Sequence, residues 1–223
     1  MNNQKKNIVI FGIGELAQLA NFYFSNDSNY KVCAFTLDSQ YIETDTYLNL
    51  PLIPFETIQG SYPPHKFEMF IAIGYSKLNE NRKIKFFEAK DKGYKLVSYV
   101  SSKSTSWSDL VVGENTFIME DNTIMPFCKI GNNVLVWVNN IIAHHMIIED
   151  HVTITSHCAI GGNVTIKEQA FIGLNSTLRN NIEIGKGAII GASSNVIGNV
   201  KEYSLMLGNP AKPSELDARA IKL

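Results

Sequence analysis

Cysteine is scarce in this chain: among 223 residues there are three, Cys33, Cys128 and Cys158. An odd count with no metal-ligand spacing argues against both a disulfide framework and a thiolate metal site, and suits a reducing cytoplasm. A dominant charge is missing too. Twenty Lys and Arg against 21 Asp and Glu leave a net charge of −1, so no strong field invites nucleic acid or an anionic membrane. No apolar run reaches the roughly 18 residues of a membrane-spanning helix. The opening MNNQKKNIVIFGIG joins a basic patch to an apolar stretch. That stretch is too short for a signal peptide and leads into a turn rather than a cleavage site. With 45% hydrophobic and 18% charged residues, the composition is that of a soluble globular protein with room for one large or two small domains.

What the chain has in abundance is a period of six. From Val112 through Val196 every sixth residue is Val, Ile or Leu, and the pattern fills fifteen hexads to Lys201 without an insertion. Four places after the aliphatic residue there is usually a small or apolar one, such as Cys128, Val134, Val152, Cys158, Val164 or Ala170. The second place is often Gly, as at Gly113, Gly131, Gly161, Gly173, Gly185 and Gly191. Helices repeat at 3.6 residues and half-buried strands at two, so a fixed period of six marks a β-helix. Three sides of six residues make a coil of 18, hence about five coils. Cys158 then falls at a place of small buried residues, which suits a core role better than that of an acyl carrier.

The first hundred residues read differently. Residues 7–11 (NIVIF) form a buried strand, followed by Gly12-Ile13-Gly14-Glu15-Leu16-Ala17 and a helical pattern through Tyr23. Strand, glycine turn and helix open a Rossmann-like unit, whose helix N-terminus favours negative charge. A second strand, residues 30–37, ends at Asp38, either a ligand for a ribose or base or an exposed loop acid. A third, residues 67–73, ends at Gly74. Residues 78–92 have helical character, residues 95–100 form a final strand, and a Ser- and Thr-rich bridge, residues 101–106, leads into the prism. The elements are too few for a dinucleotide fold, so one nucleotide is expected, with Gly12, Gly14, Asp38 and Gly74 lining its pocket. The expected division is 1–97 for this Rossmann-like α/β domain, 98–205 for the β-helix, and 206–223 for a cap with a short helix over residues 215–221.

The reactive residues of the prism gather in Ile142-Ala143-His144-His145-Met146-Ile147. His145, His151 and His157 recur every six residues, so they fall on different sides and cannot stack into a metal site. Stacking takes 18 residues, which puts Pro126 below His144 and Gly162 above it. A neutral imidazole suits general-base work, although a single His in a β-helix is more often a surface or turn residue. Apolar residues such as Trp137, Phe127 and Met146 on prism faces call for cover, and closed cyclic symmetry supplies it.

The whole chain resembles the bacterial nucleotide-sugar acetyltransferases of the PglD and NeuD type. The resemblance is carried by IVIFGIGELA, FIAIG, the hexapeptide prism, GGNVTI, FIGLNST and the tail GNPAK. It implies a left-handed β-helix and a homotrimer. Acetyl-CoA would lie in the groove between subunits, and a UDP- or dTDP-linked amino sugar would be held by the N-terminal domain. It assigns the base to His144, in register with the Gly162-Asn163 pair, and an oxyanion donor to Gly162. The coenzyme contacts carry over to Thr153, where the family has a His, and to Leu174, Ala192 and Lys212; Lys212 reads equally well as a solvated tail lysine. No metal is implied. The chain departs from the pattern at His145, where the family has an acid. Glu149, Asp150 or an acid from a neighbouring chain is then expected to orient His144, unless the substrate amine needs less help. O-acetylation of a sugar hydroxyl and a non-catalytic trimeric binding protein are the rival readings, and an NAD-linked oxidoreductase conflicts with the short N-terminal domain.

Overall fold

The structure, a computed structural model, describes residues 5–223. It divides into two compact units: the chain through Gly74 with Asn81–Val97, and Tyr75–Glu80 with Ser98–Leu223.

The first unit is a five-stranded sheet in the order β3-β4-β2-β1-β5. It comprises β1 (Lys6–Phe11), α1 (Glu15–Asn26), β2 (Tyr30–Leu37), β3 (Thr46–Tyr47), β4 (Leu50–Pro54), α2 (Ile58–Ser61), β5 (Glu68–Ile71) and α3 (Glu80–Asp91). β1 pairs in parallel with β2 and β5, and only the edge strand β3 runs antiparallel. As a central strand β1 is covered on both faces, and Ile8, Val9 and Ile10 are fully buried, which is why its sequence is continuously apolar. Gly12 follows at φ +112, where a Cβ would stand 2.8 Å from the Ala72 carbonyl oxygen; only glycine fits that turn.

The second unit is a left-handed parallel β-helix, as expected. Fifteen two-residue strands, β7 (Val111–Val112) to β21 (Asn195–Val196), follow at six-residue intervals. Each of the first twelve pairs with the strand 18 residues on, as Ile141 does with Ala159 and Thr153 with Phe171. Three sides result. Side A holds β7, β10, β13, β16 and β19; side B holds β8, β11, β14, β17 and β20; side C holds β9, β12, β15, β18 and β21. The aliphatic places stack inside as one column set, with Ile142, Ile154, Ile166, Ile172 and Ile190 fully buried. Burial of each such side chain is worth about 1.5–3 kcal/mol.

The corners explain two columns of the repeat. At the fourth place of each hexad the backbone turns left-handed: Asn115, Asp121, Phe127, Asn133, Asn139, His145, His151, His157 and their successors to Ser193 have φ between +54 and +67. Asn, Asp and His are the side chains that tolerate this region best, which accounts for the recurrent histidines. Where the second place is glycine, the next coil comes too close for a side chain; a Cβ on Gly173 would lie 2.6 Å from the Ile190 carbonyl oxygen.

Several expectations need correction. The Ser- and Thr-rich bridge is already the first coil: β6 (Tyr99–Val100) pairs with β8, and Thr105 bridges to Thr123. The strand expected over 95–100 is therefore split, with Leu96 bridging to Met69 in the first unit. The helix expected from residue 78 starts at Glu80, because Lys77, Leu78 and Asn79 all have positive φ. The tail forms no α-helix. β22 (Ser204–Leu207) joins side B and turns back as antiparallel β23 (Lys212–Asp217), followed by a 3-10 turn, Ala218–Ala220. Met146 is in the core, fully buried, since it occupies the small-residue place four after Ile142. Trp137 is half-buried, and Phe127 is exposed.

Candidate active site

His144 and His145 lie on the edge between sides C and A, in the corner between β12 (Ile141–Ile142) and β13 (Ile147–Ile148), and both are exposed. The two Nδ1 atoms are 3.0 Å apart, within one hydrogen bond. The rings meet edge to face at 5.1 Å between centroids. The 18-residue arithmetic holds for Gly162: a methyl there would stand 2.5 Å from His144 Cε1 and 2.7 Å from Nε2. The Gly162 residue is buried against the imidazole. Its neighbours Gly161 and Asn163 donate to the Leu178 and His144 carbonyls, while no hydrogen bond among the described residues uses the Gly162 N–H.

Neither nearby acid orients His144. Glu149 accepts from Lys167 Nζ and the Glu168 N–H. Asp150 accepts from the Asn132 N–H and side-chain amide. Both belong to the edge between sides A and B, one corner further along the chain. His151 and His157 pair with Asn133 and Asn139 of the coil below, at 2.8 and 3.2 Å between nitrogens. No cluster of potential metal ligands exists among the described residues.

The residues expected to meet the coenzyme lie elsewhere. Leu174 and Ala192 are exposed on the edge between sides B and C, one above the other, and the Ser193 N–H donates to the Leu174 carbonyl at 2.7 Å. Lys212 is exposed in β23 at the upper end of side B, opposite Leu207. Thr153 is fully buried on side B, where its hydroxyl donates to Asn79 Oδ1 at 2.7 Å. Asn79 in turn donates to the Gln169 carbonyl, and the Gln169 amide reaches Glu80. In this chain Thr153 thus anchors the Tyr75–Glu80 segment. Sequence reasoning missed Asn79 altogether, since nothing in its spacing links it to a hexad 74 residues away.

Within the first unit, Gly12, Asp38 and Gly74 follow the C-terminal ends of β1, β2 and β5, where ligands of open α/β sheets bind. Gly14 caps α1 and accepts from the Ala17 and Gln18 N–H groups; nothing lies within 4 Å of where its Cβ would be. The Gly74 carbonyl accepts from Arg82 Nη1 at 2.7 Å, and burial pulls the Arg82 pKa down to about 9. Asp38 is no free loop acid. It accepts from Lys85 Nζ at 2.7 Å beside a hollow of about 560 Å³ lined also by Ser39, Phe55, Glu56 and Glu88. Lys85 also lies over the rings of Phe11 and Phe55. Burial alone would lower the Lys85 pKa, but the bonds to Asp38 and Glu88 outweigh it and raise it.

Cys158 is 1% exposed, its thiol reaches the backbone carbonyls of Thr155 and Gly173, and burial pushes its pKa up. A thiol held neutral in a core is a poor nucleophile. We expect Cys158→Ala to retain the native turnover number and native Cys158 to resist iodoacetamide until the protein unfolds, both read by mass spectrometry and steady-state kinetics. Acetylated Cys158 after mixing with acetyl-CoA would contradict this.

Among the described residues no helix is long and apolar enough to cross a membrane. Residues 109–144 match the family model described as bacterial transferase hexapeptide (six repeats). No curated protein matches the chain. Solved structures do. The acetyltransferase domain of PglB from Neisseria gonorrhoeae is 19% identical with a TM-score of 0.83, over 94% of this chain and all of that one. A single-site variant of perosamine N-acetyltransferase from Caulobacter crescentus, solved with CoA and GDP-perosamine, is 20% identical with a TM-score of 0.84, over 93% and 96% of the two chains. WeeI from Acinetobacter baumannii is 21% identical with a TM-score of 0.72, over 94% and 100%. The chain carries the bacterial transferase hexapeptide repeat and shares its fold with these proteins, two of them acetyltransferases, along nearly its whole length.

Proposed function

We propose that this protein transfers the acetyl group of acetyl-CoA to the amine of a nucleotide-linked amino sugar. One observation carries the reading: an exposed imidazole, His144, lies against the backbone of Gly162, whose N–H has no acceptor among the described residues, on an edge of a transferase prism. The complexes of the structural neighbours with CoA, acetyl-CoA and GDP-perosamine support the choice of donor and acceptor class.

In this reading the sugar amine attacks the thioester carbonyl, and His144 Nε2 takes the amine proton as the C–N bond forms. The Gly162 N–H faces the developing oxyanion. The adduct then collapses, the C–S bond breaks, and the departing thiolate takes the proton from the imidazolium. No acyl-enzyme is needed, because holding both substrates together lowers the barrier. The nucleotide lies across Gly12, Gly14, Asp38 and Gly74, and the coenzyme along Leu174 and Ala192 with Lys212 meeting its phosphates.

The coenzyme edge and the His144 edge of one chain are separated by the width of side C, at most about 20 Å for six residues. The outward residues of side C, Thr123, Ile141, Ala159 and Thr177, are exposed and uncharged. Large exposed apolar side chains crowd the His144 edge beside it: Met125, Ile147 and Ile197. A cyclic homotrimer covers this surface and brings the coenzyme edge of one copy to the His144 edge of the next.

Release of free thiol from acetyl-CoA should depend strictly on an amine-bearing nucleotide sugar, and the product should keep its acetyl group in mild alkali. An alkali-labile product moves the acceptor to a hydroxyl, and thiol release indifferent to the sugar denies the reading. Asp38→Ala should raise the KM for the nucleotide sugar about tenfold or more, as loss of a charged hydrogen bond does, and leave that for acetyl-CoA unchanged. The reverse pattern would reassign the N-terminal unit.

A further inference from the structure

Of the left-handed corner residues between Asn115 and Ser193, all but one are Asn, Asp, His, Gln, Ser or Gly. The exception is Phe127, at φ +67 and 63% exposed. A bulky aromatic is disfavoured in that backbone region, and a large apolar ring gains little by standing in water. Strain of this kind persists where the surroundings require it, and it gathers at functional sites. What Phe127 touches supplies the requirement. Its ring lies on that of His145, one coil above, with centroids 4.7 Å apart and planes tilted by 43°. His145 in turn faces His144 through the Nδ1–Nδ1 contact.

We infer that Phe127 and His145 are a positioning pair for His144, in which a neutral imidazole takes the place of a carboxylate. This rests on the base role proposed for His144. Two Nδ1 atoms at hydrogen-bond distance share one proton, so one ring donates and the other accepts. If His144 donates, its Nε2 carries the lone pair that a base needs; if it accepts, Nε2 carries a hydrogen and is inert as a base. His145 therefore works as an acceptor, and Phe127 holds its ring edge-on to do so. The remaining groups in the column are Asp109 below and Asn163 above. Asp109 accepts from the Phe127 N–H, while the Asn163 side chain donates to Asn181. His145 thus meets no other charge in its column.

The test uses three substitutions that suit a left-handed corner, so backbone strain does not confound them. Asn places Oδ1 where His has Nδ1, whereas Gly removes the acceptor. We expect His145→Gly to lower kcat about 10²-fold, in keeping with loss of a tautomer-setting partner, with little change in either KM. His145→Asn should recover all but about fivefold of it, because its Oδ1 restores an acceptor. Phe127→Asn should leave the melting temperature equal or higher, because strain is relieved, while kcat falls about tenfold. If His145→Gly keeps native kcat, or if His145→Asn is no better than His145→Gly, the positioning role is overturned. If Phe127→Asn loses stability and activity together, Phe127 is a packing residue and the pair is overturned. His144→Ala run alongside separates the two levels: its full activity would sink the base itself, whereas an inactive His144→Ala beside a fully active His145→Gly sinks only the pair.

Discussion

His144→Ala lowers kcat by about 10²–10⁴-fold, the usual contribution of a general base, while the KM for acetyl-CoA stays within about twofold of native. The expectation follows from position. The side chain is exposed, so its truncation creates no cavity, and the Asn163 N–H still donates to the residue 144 carbonyl, holding the coil. Loss therefore falls on chemistry rather than folding. A folded variant with native kcat would mean that proximity and oxyanion stabilisation supply the whole rate.

The second large effect comes from mixing. His144→Ala and Ala192→Trp should each be inactive alone, the first for want of a base and the second because the indole blocks the coenzyme edge. If sites form between copies, a His144→Ala chain can lend its intact coenzyme edge to the His144 of an Ala192→Trp neighbour. Equal co-refolding of the two should restore activity at about a quarter of the sites in randomly assembled cyclic trimers. Activity that stays at the level of the separate variants would place both edges of each site in one chain.

How much of this was legible in the sequence depends on the range of the contact. The β-helix was, because an 18-residue coil makes every lateral neighbour computable: Gly162 over His144 and Leu174 under Ala192 follow by counting. The same count would have placed Phe127 beneath His145, had the corner conformation been recognised. It went unread because the repeat was sorted by hydrophobicity, and the left-handed place is marked by tolerance of φ rather than by burial. Met146 was misjudged for a related reason; a large side chain at a small-residue place looks misplaced until the column proves to be interior. Contacts from outside the period left no trace. Lys85 reaches Asp38 across 47 residues, and Asn79 reaches Thr153 across 74; in both cases ordinary polar residues meet only through the fold. The tail misled because residues 215–221 have helical composition, whereas the side B edge offers unpaired backbone groups that a returning strand satisfies.

The most direct measurement is mass spectrometry of nucleotide sugars after incubation with acetyl-CoA, over UDP-, dTDP- and GDP-linked amino sugars and matched sugars bearing a hydroxyl in place of the amine. The account predicts one added acetyl group on at least one amine-bearing member, none on its hydroxyl match, and none with His144→Ala on the same timescale. Acetylation of the hydroxyl matches, or of no member by a protein that binds acetyl-CoA, would contradict it.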